Sequence, residues 1–173
     1  MIKLLSFVSI VCGGIFTAVF IIGLTLSDAT EINETIIIEA PRTVVWTALA
    51  NSNEEHKWLK SVDVLYNYNA SARQIRYLFK NKTLLINQQV RIRESAFAID
   101  YFQIGREKYT EFQDFSGQLM VTSLADGSSE VRWKISYTTG TLSQRLINRF
   151  SLASKIRNLI KTNLYSFKNF IEH

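Results

Sequence analysis

From Val62 onward the apolar residues of this chain change their spacing once, and that change dictates what the chain can build. From Val62 to Tyr137 they recur at every second position; from Thr141 almost to the end they recur at helical spacing. In RQIRYLFK (73–80), Ile75, Tyr77 and Phe79 share one parity. In LLINQQVRIRE (84–94), Leu84, Ile86, Val90 and Ile92 do the same, with Gln88 among them and Arg91 and Arg93 opposite. AFAIDYFQI aligns Phe97, Ile99 and Tyr101, and EVRWKISY aligns Val131, Trp133, Ile135 and Tyr137 against Arg132 and Lys134. Alternation of this kind predicts antiparallel strands with one wet face. Leu142, Leu146, Ala153, Ile156, Ile160, Leu164, Phe167 and Ile171 then fall in one stripe at about 100° per residue, which predicts a long helix with one face to bury. A one-sided sheet and a one-sided helix hide their apolar faces against each other.

Local signals fill in the order. The chain has a single proline, Pro41, placed where a strand ending in three isoleucines (36–38) gives way to a helical pattern. Proline suits the first turn of a helix, because the N–H it lacks has no intrahelical partner there. The helix runs to about Ala50, with Val45, Trp46 and Leu49 directed inward. Ser52 or Asn53 is placed to cap a second short helix over 54–59, whose first turn holds Glu54 and Glu55. Gly117 predicts a bend or bulge in a strand over 109–124, and Asp126-Gly127 predicts a hairpin turn. The expected order is one strand, two short helices, about six antiparallel strands and one long helix: an α+β domain.

In front of this domain, residues 4–26 read LLSFVSIVCGGIFTAVFIIGLTL without a charge. At helical rise the run covers roughly 35 Å, enough for a hydrocarbon core of about 30 Å. Ser27-Asp28-Ala29 also reads as a small-x-small cleavage site, but the apolar run exceeds the usual signal-peptide length. The expectation is therefore a retained anchor over 1–27 and a folded domain over 28–173. Lys3 before the span, and Asp28, Glu31 and Glu34 after it, place the domain on the extracytoplasmic side. The one cysteine, Cys12, lies inside the apolar run, so the domain has neither a disulfide nor a thiolate nucleophile. A net charge of +5 is spread along the chain rather than gathered in a block, and it gives no support for nucleic-acid binding.

IIIEAPRTVVWTALANSNEEHKWLKSV resembles the opening of the START/polyketide-cyclase-like superfamily, also called SRPBCC, which includes the birch-pollen-allergen fold. Ala40-Pro41, Val45-Trp46 and Trp58 stand where members carry Ala-Pro, Val-Trp and a tryptophan before the second strand. The run from Gly127 to Trp133 is similar to the family's late hairpin. The resemblance covers residues 33–173. It implies a helix-grip fold, in which a curved antiparallel sheet wraps a long C-terminal helix. It also implies a hydrophobic cavity between the two and, as ligand, a hydrophobic small molecule or lipid.

The inward faces carry Tyr77, Phe79, Phe97, Tyr101, Phe115, Trp133 and Tyr137. Buried tyrosine hydroxyls need partners, and an ordinary aromatic core with tyrosines reaching the rim answers that as well as a cavity does. With the resemblance, the candidate ligand contacts are Tyr77, Phe79, Gln88, Ile99, Tyr101, Trp133, Tyr137, Arg149 and Ile156. Gln88 has apolar parity and suits a ligand's polar group. Glu94 ends the same face; its plainer reading is a solvated strand end. Arg149 falls in the helix stripe, where it either meets an anionic group or snorkels to water. Neither a metal site nor a cofactor motif can be assembled, and His56 reads as a surface residue. Three functions follow: a membrane-anchored binder of a hydrophobic molecule, a cyclase or aromatase acting by shaping a bound chain, and an interaction module. The last would expose a patch including Leu152, Leu159 and Phe170.

Overall fold

The computed structural model describes residues 11, 14, 17, 21, 25–60, 62–69, 71–79, 82–105 and 113–173, with backbone alone at 64–69, 79 and 82–84. Most of the expected span, 4–26, lies outside the described residues; Val11, Gly14, Thr17, Ile21 and Thr25 are described and helical. No helix among the described residues is long and apolar enough to cross a membrane.

The chain runs β1 (Ala29–Ile38), α1 (Arg42–Ala50), a 3-10 turn (Ser52–Glu54), α2 (Glu55–Trp58) and β2 (Val62–Asn69). It continues through β3 (Ala72–Phe79), β4 (Lys82–Arg93), β5 (Ala98–Gln103), β6 (Gln113–Ser123) and β7 (Ser129–Thr138). It ends with α3 (Leu142–Ile147), a π turn (Asn148–Leu152) and α4 (Ala153–Glu172). The strands form one sheet in the order β1-β7-β6-β5-β4-β3-β2, each neighbour antiparallel. β1 and β2 are therefore opposite edges, and α1 and α2 carry the chain from one to the other. Six meandering strands then return to β1. The sheet curls into a half-barrel, and α4 fills its concave side with Ile156, Leu159, Ile160, Leu164 and Phe167.

Pro41 stands one position earlier than expected, at the N-cap with φ −60° and ψ 146°. Its carbonyl accepts from Val44 and Val45, which starts α1 at once. Val45, Trp46 and Leu49 are buried beneath it. The cap of the next turn is Asn51, whose side chain accepts from Asn53 N, rather than Ser52 or Asn53. Gly127 has φ +85°, as the hairpin requires. The register shift of β6 falls between Gln113 and Ser116, with Asp114 at φ +53°, not at Gly117. Gly117 faces Tyr101 of the neighbouring strand, where a Cβ would lie 3.4 Å from the ring, at ordinary contact distance.

The C-terminal rod starts on a capping box. Gln144 N donates to Thr141 Oγ1 at 3.3 Å, and Thr141 N donates to Gln144 Oε1 at 2.9 Å. We expect Thr141→Ala to cost about 1 kcal/mol, seen as a lower denaturation midpoint at unchanged slope. An unmoved midpoint would show the cap to be dispensable.

The π turn corrects two expectations. Straight helical counting puts Arg149 in the apolar stripe, but the widened turn rephases the rod and leaves Arg149 exposed. Asn148 turns inward instead, at 5 % exposure, accepting from the Tyr137 hydroxyl at 2.6 Å and donating to Thr30 Oγ1 at 2.7 Å. The second correction concerns the patch of Leu152, Leu159 and Phe170: the two leucines are buried and Phe170 packs against the core. The sheet covers a wider arc of the helix than one stripe.

Candidate functional site

Inside the curl, toward the α2 end, the concave face becomes polar. Arg73 of β3 and Gln88 of β4 are cross-strand partners, and both are buried. Arg73 has the inward parity of Ile75 and Tyr77, so its guanidinium enters the barrel. There Nη1 donates to Glu55 Oε2 of α2 at 2.5 Å, and the guanidinium lies 5.1 Å from the centre of the Tyr101 ring. Gln88 Nε2 donates to the Tyr77 hydroxyl at 3.3 Å. Around this group stand Trp58, Leu59, Val62, Ile75, Phe115, Leu119 and Trp133.

These side chains leave a void of about 10 Å³, room for a single water. The cavity that the family resemblance implies is nearly filled, because Trp58, Tyr77, Tyr101, Phe115 and Trp133 all line it. Tyr77 and Phe115 meet with ring centroids 6.2 Å apart. Against the outside of the same wall lies an open hollow of about 360 Å³, lined by Ser52, Glu55, His56, Leu59, Val62, Asp63 and Arg73. Glu55, Leu59, Val62 and Arg73 face both spaces and form the partition between them. One ion pair and two apolar side chains separate interior from exterior.

The electrostatics match the enclosure. Burial pushes the Tyr101 hydroxyl well above its ordinary pKa, and the Arg73 charge offsets that only in part. The Tyr77 hydroxyl is raised too, chiefly by burial, against a hydrogen bond from Gln88. Both are neutral donors at any physiological pH. Burial works against the Arg73 charge, yet Tyr101 and Glu55 more than compensate and hold its pKa above the usual arginine value. Seven buried side-chain polar atoms have no hydrogen-bond partner among the described residues, and three of them, Arg73 Nε, Gln88 Oε1 and Trp58 Nε1, belong to residues that line this space. Each such atom costs on the order of 1–3 kcal/mol, so three around one small space demand an explanation.

Of the residues chosen from the sequence, Tyr77, Gln88, Tyr101 and Trp133 line this enclosed space. Ile99, Tyr137 and Ile156 are buried elsewhere in the core. The Tyr137 hydroxyl, pushed up to about 12 by burial, belongs to the junction with Asn148. Arg149 faces solvent, the Phe79 side chain lies outside the described residues, and Glu94 is exposed on a 3-10 turn. His56 is exposed on the rim of the outer hollow. Sequence reasoning missed Arg73, Glu55, Trp58 and Phe115 as a group. Arg73 carried a signal, since a charge on apolar parity between strands of apolar residues is unusual. Glu55 carried none, being one of two adjacent glutamates in a polar link. Among the described residues, no three acidic, histidine or cysteine side chains are placed to hold a metal.

Neither family models nor curated protein sequences match the chain. Solved structures do. Zhui aromatase/cyclase from Streptomyces sp. R1128 is similar with a TM-score of 0.66 at 13 % identity, over 83 % of this chain and 94 % of that one. Ginseng major latex-like protein 151 from Panax ginseng gives 0.63 at 9 % identity, over 83 % and 97 % of the two chains. Ara h 8.0201 gives 0.56 at 12 % identity, over 83 % and 97 %. At such identities the likeness is one of fold: a curled antiparallel half-barrel around a long C-terminal helix, the helix-grip arrangement.

Proposed function

We propose that the chain is a membrane-tethered binding protein for a hydrophobic small molecule or lipid carrying at least one oxygen acceptor. The observation that carries this is the partnerless polar set at the enclosed space. Arg73 Nε–H and Trp58 Nε1–H are donors, Gln88 Oε1 is an acceptor, and the rest of the surrounding wall is largely apolar and aromatic. Mostly apolar pockets gain specificity from a few such groups. A ligand oxygen would take up the donors, while its apolar body would displace the converging rings. The outer hollow supplies the approach and the Glu55–Arg73 partition supplies the door. The uncharged run at 4–26 supports the tether, which would hold the door near a bilayer and raise the local concentration of a membrane-derived ligand.

The test is mass spectrometry of molecules retained by the full chain purified from its own membrane. We expect one apolar, oxygen-bearing class of molecule. The double variant Gln88→Leu/Tyr77→Phe should lose it while folding as well as the parent or slightly better, since both hydrogen-bonding partners become apolar together. Repeatedly empty parent protein would sink the proposal, and so would equal retention by the variant.

A cyclase-type enzyme is the second reading, favoured by the convergence of Glu55, Arg73, Tyr77, Gln88 and Tyr101 on one space. The two readings part at the recovered molecule. A binding protein returns it unchanged after incubation, whereas an enzyme releases a dehydrated or cyclised product.

A further inference from the structure

On the described surface, Phe150 stands out: it is 76 % exposed, and Ile147, one turn earlier on the same side, is 47 % exposed. Both project from the rod at the π turn, where the rephased helix directs Asn148 and Leu152 inward and leaves Arg149 and Phe150 outside. The rod itself is basic. Between Glu130 and Glu172 the sequence has no acidic residue, and the rod carries Arg145, Arg149, Lys155, Arg157, Lys161 and Lys168. Arg157 and Lys161 are paired with Glu34, and Lys168 with Glu172. Arg149 and Lys155 are exposed and have no ion pair among the described residues.

Where the apolar N-terminal run ends gives this patch its meaning. Arg145 Nη1 donates to the Leu26 carbonyl at 3.5 Å, and its Nη2 lies 4.0 Å from Asp28 Oδ2. Thr139 N donates to the Asp28 carbonyl at 2.7 Å, and Asn148 Nδ2 reaches Thr30. The chain leaving residues 4–26 is thus fastened to α3 and the π turn. Phe150 stands only about 7.5 Å of helical rise beyond Arg145. A segment that enters a bilayer and ends here brings Ile147 and Phe150 to the interface, where apolar side chains insert and cations meet lipid phosphates.

We propose that Ile147, Phe150, Arg149 and Lys155 form a second membrane contact that seats the π turn on an anionic leaflet. The proposal rests on the tether reading and goes beyond it, because it fixes which face of the domain meets the bilayer. Basic residues of this kind are drawn electrostatically to an anionic surface. The rest of the patch acts by apolar insertion.

Tryptophan quenching tests it in the full chain, reconstituted into phosphatidylcholine–phosphatidylserine vesicles that carry bromines on the upper acyl carbons. Trp46, Trp58 and Trp133 are buried, at 9 %, 2 % and 5 % exposure, so the parent protein provides the background. Phe150→Trp should lose about half of its added emission, as expected for a side chain within about 5–10 Å of the headgroup boundary. Tyr165→Trp, 63 % exposed but about 22 Å further along the rod, should lose little. Adding Arg149→Glu and Lys155→Glu should weaken quenching at position 150. Equal quenching at 150 and 165 in protein that floats with vesicles overturns the proposal and leaves the tether standing. Blue-shifted but unquenched emission at 150 marks a protein surface, such as a second copy, and overturns it as well. Failure to float at all overturns the tether, and this contact with it.

Discussion

Replacing Arg73 with methionine should cost the domain about 3–5 kcal/mol, and adding Glu55→Leu should recover most of that loss. The pair joins two side chains that are each about 9 % exposed, across the wall between interior and outer hollow. Removing the arginine alone strands a buried carboxylate, which is the expensive half of the change. Removing both charges leaves an apolar contact of similar volume, which buried pairs commonly tolerate. Against a total stability of about 5–15 kcal/mol, the single variant should be near its folding limit. A double-mutant cycle by chemical denaturation measures the coupling. A coupling below about 0.5 kcal/mol would mean that the two groups are solvated separately and that the partition is not a closed door.

The same cycle separates stability from function. If the pair served folding alone, the apolar double variant would lose nothing but its charges. The binding proposal requires it to lose ligand selection while keeping its fold. Buried pairs contribute little net stability, and three orphaned polar atoms beside this one subtract from it.

What the sequence disclosed, and what it hid, follows from the range of each interaction. Strand parity is local, so Tyr77, Gln88, Tyr101 and Trp133 could be placed on the inner face from alternation alone. The rod's stripe was legible for the same reason from Ile156 to Ile171. Its start was not. A π turn adds a residue without any composition signal, and its buried residue Asn148 depends on Tyr137 of the preceding strand and on Thr30 far away in sequence. Arg149 was misplaced for that reason. Gly117 was legible as an anomaly but not in kind, because the register shift of β6 falls at Gln113–Ser116 and not at the glycine. Glu55 becomes a site residue only when α2 is carried to the far edge of the sheet and meets β3. No local pattern contains that information. The volume of the interior was equally hidden: aromatic stripes specify which rings face inward, not whether they meet.

How tightly the rod holds that interior shut is measurable at Phe167. The ring is 1 % exposed and meets Trp58 of α2 edge-on, with centroids 4.9 Å apart. One turn back, Asn163 Oδ1 accepts from Lys60 N at 2.6 Å, and Lys57 Nζ lies 5.6 Å from the centre of the Phe170 ring, so aromatic, polar and cation–π contacts join α4 to the end of α2. Phe167→Ala should cost about 3–5 kcal/mol, the range for emptying a buried aromatic site. For a domain of this size that lowers Tm by about 10–15 °C. Trp58 lines the small enclosed space on its other side, so the new cavity should open toward that space rather than collapse. An apolar cavity so formed should take up benzene or xenon, and saturating either should restore part of the lost Tm. Asn163→Ala, which removes the polar contact while leaving the ring in place, should cost less and show no such rescue. A loss below about 1 kcal/mol for Phe167→Ala would mean that the rod does not press on α2. The interior would then be open on that side rather than sealed by Trp58, and a ligand would not need the Glu55–Arg73 door.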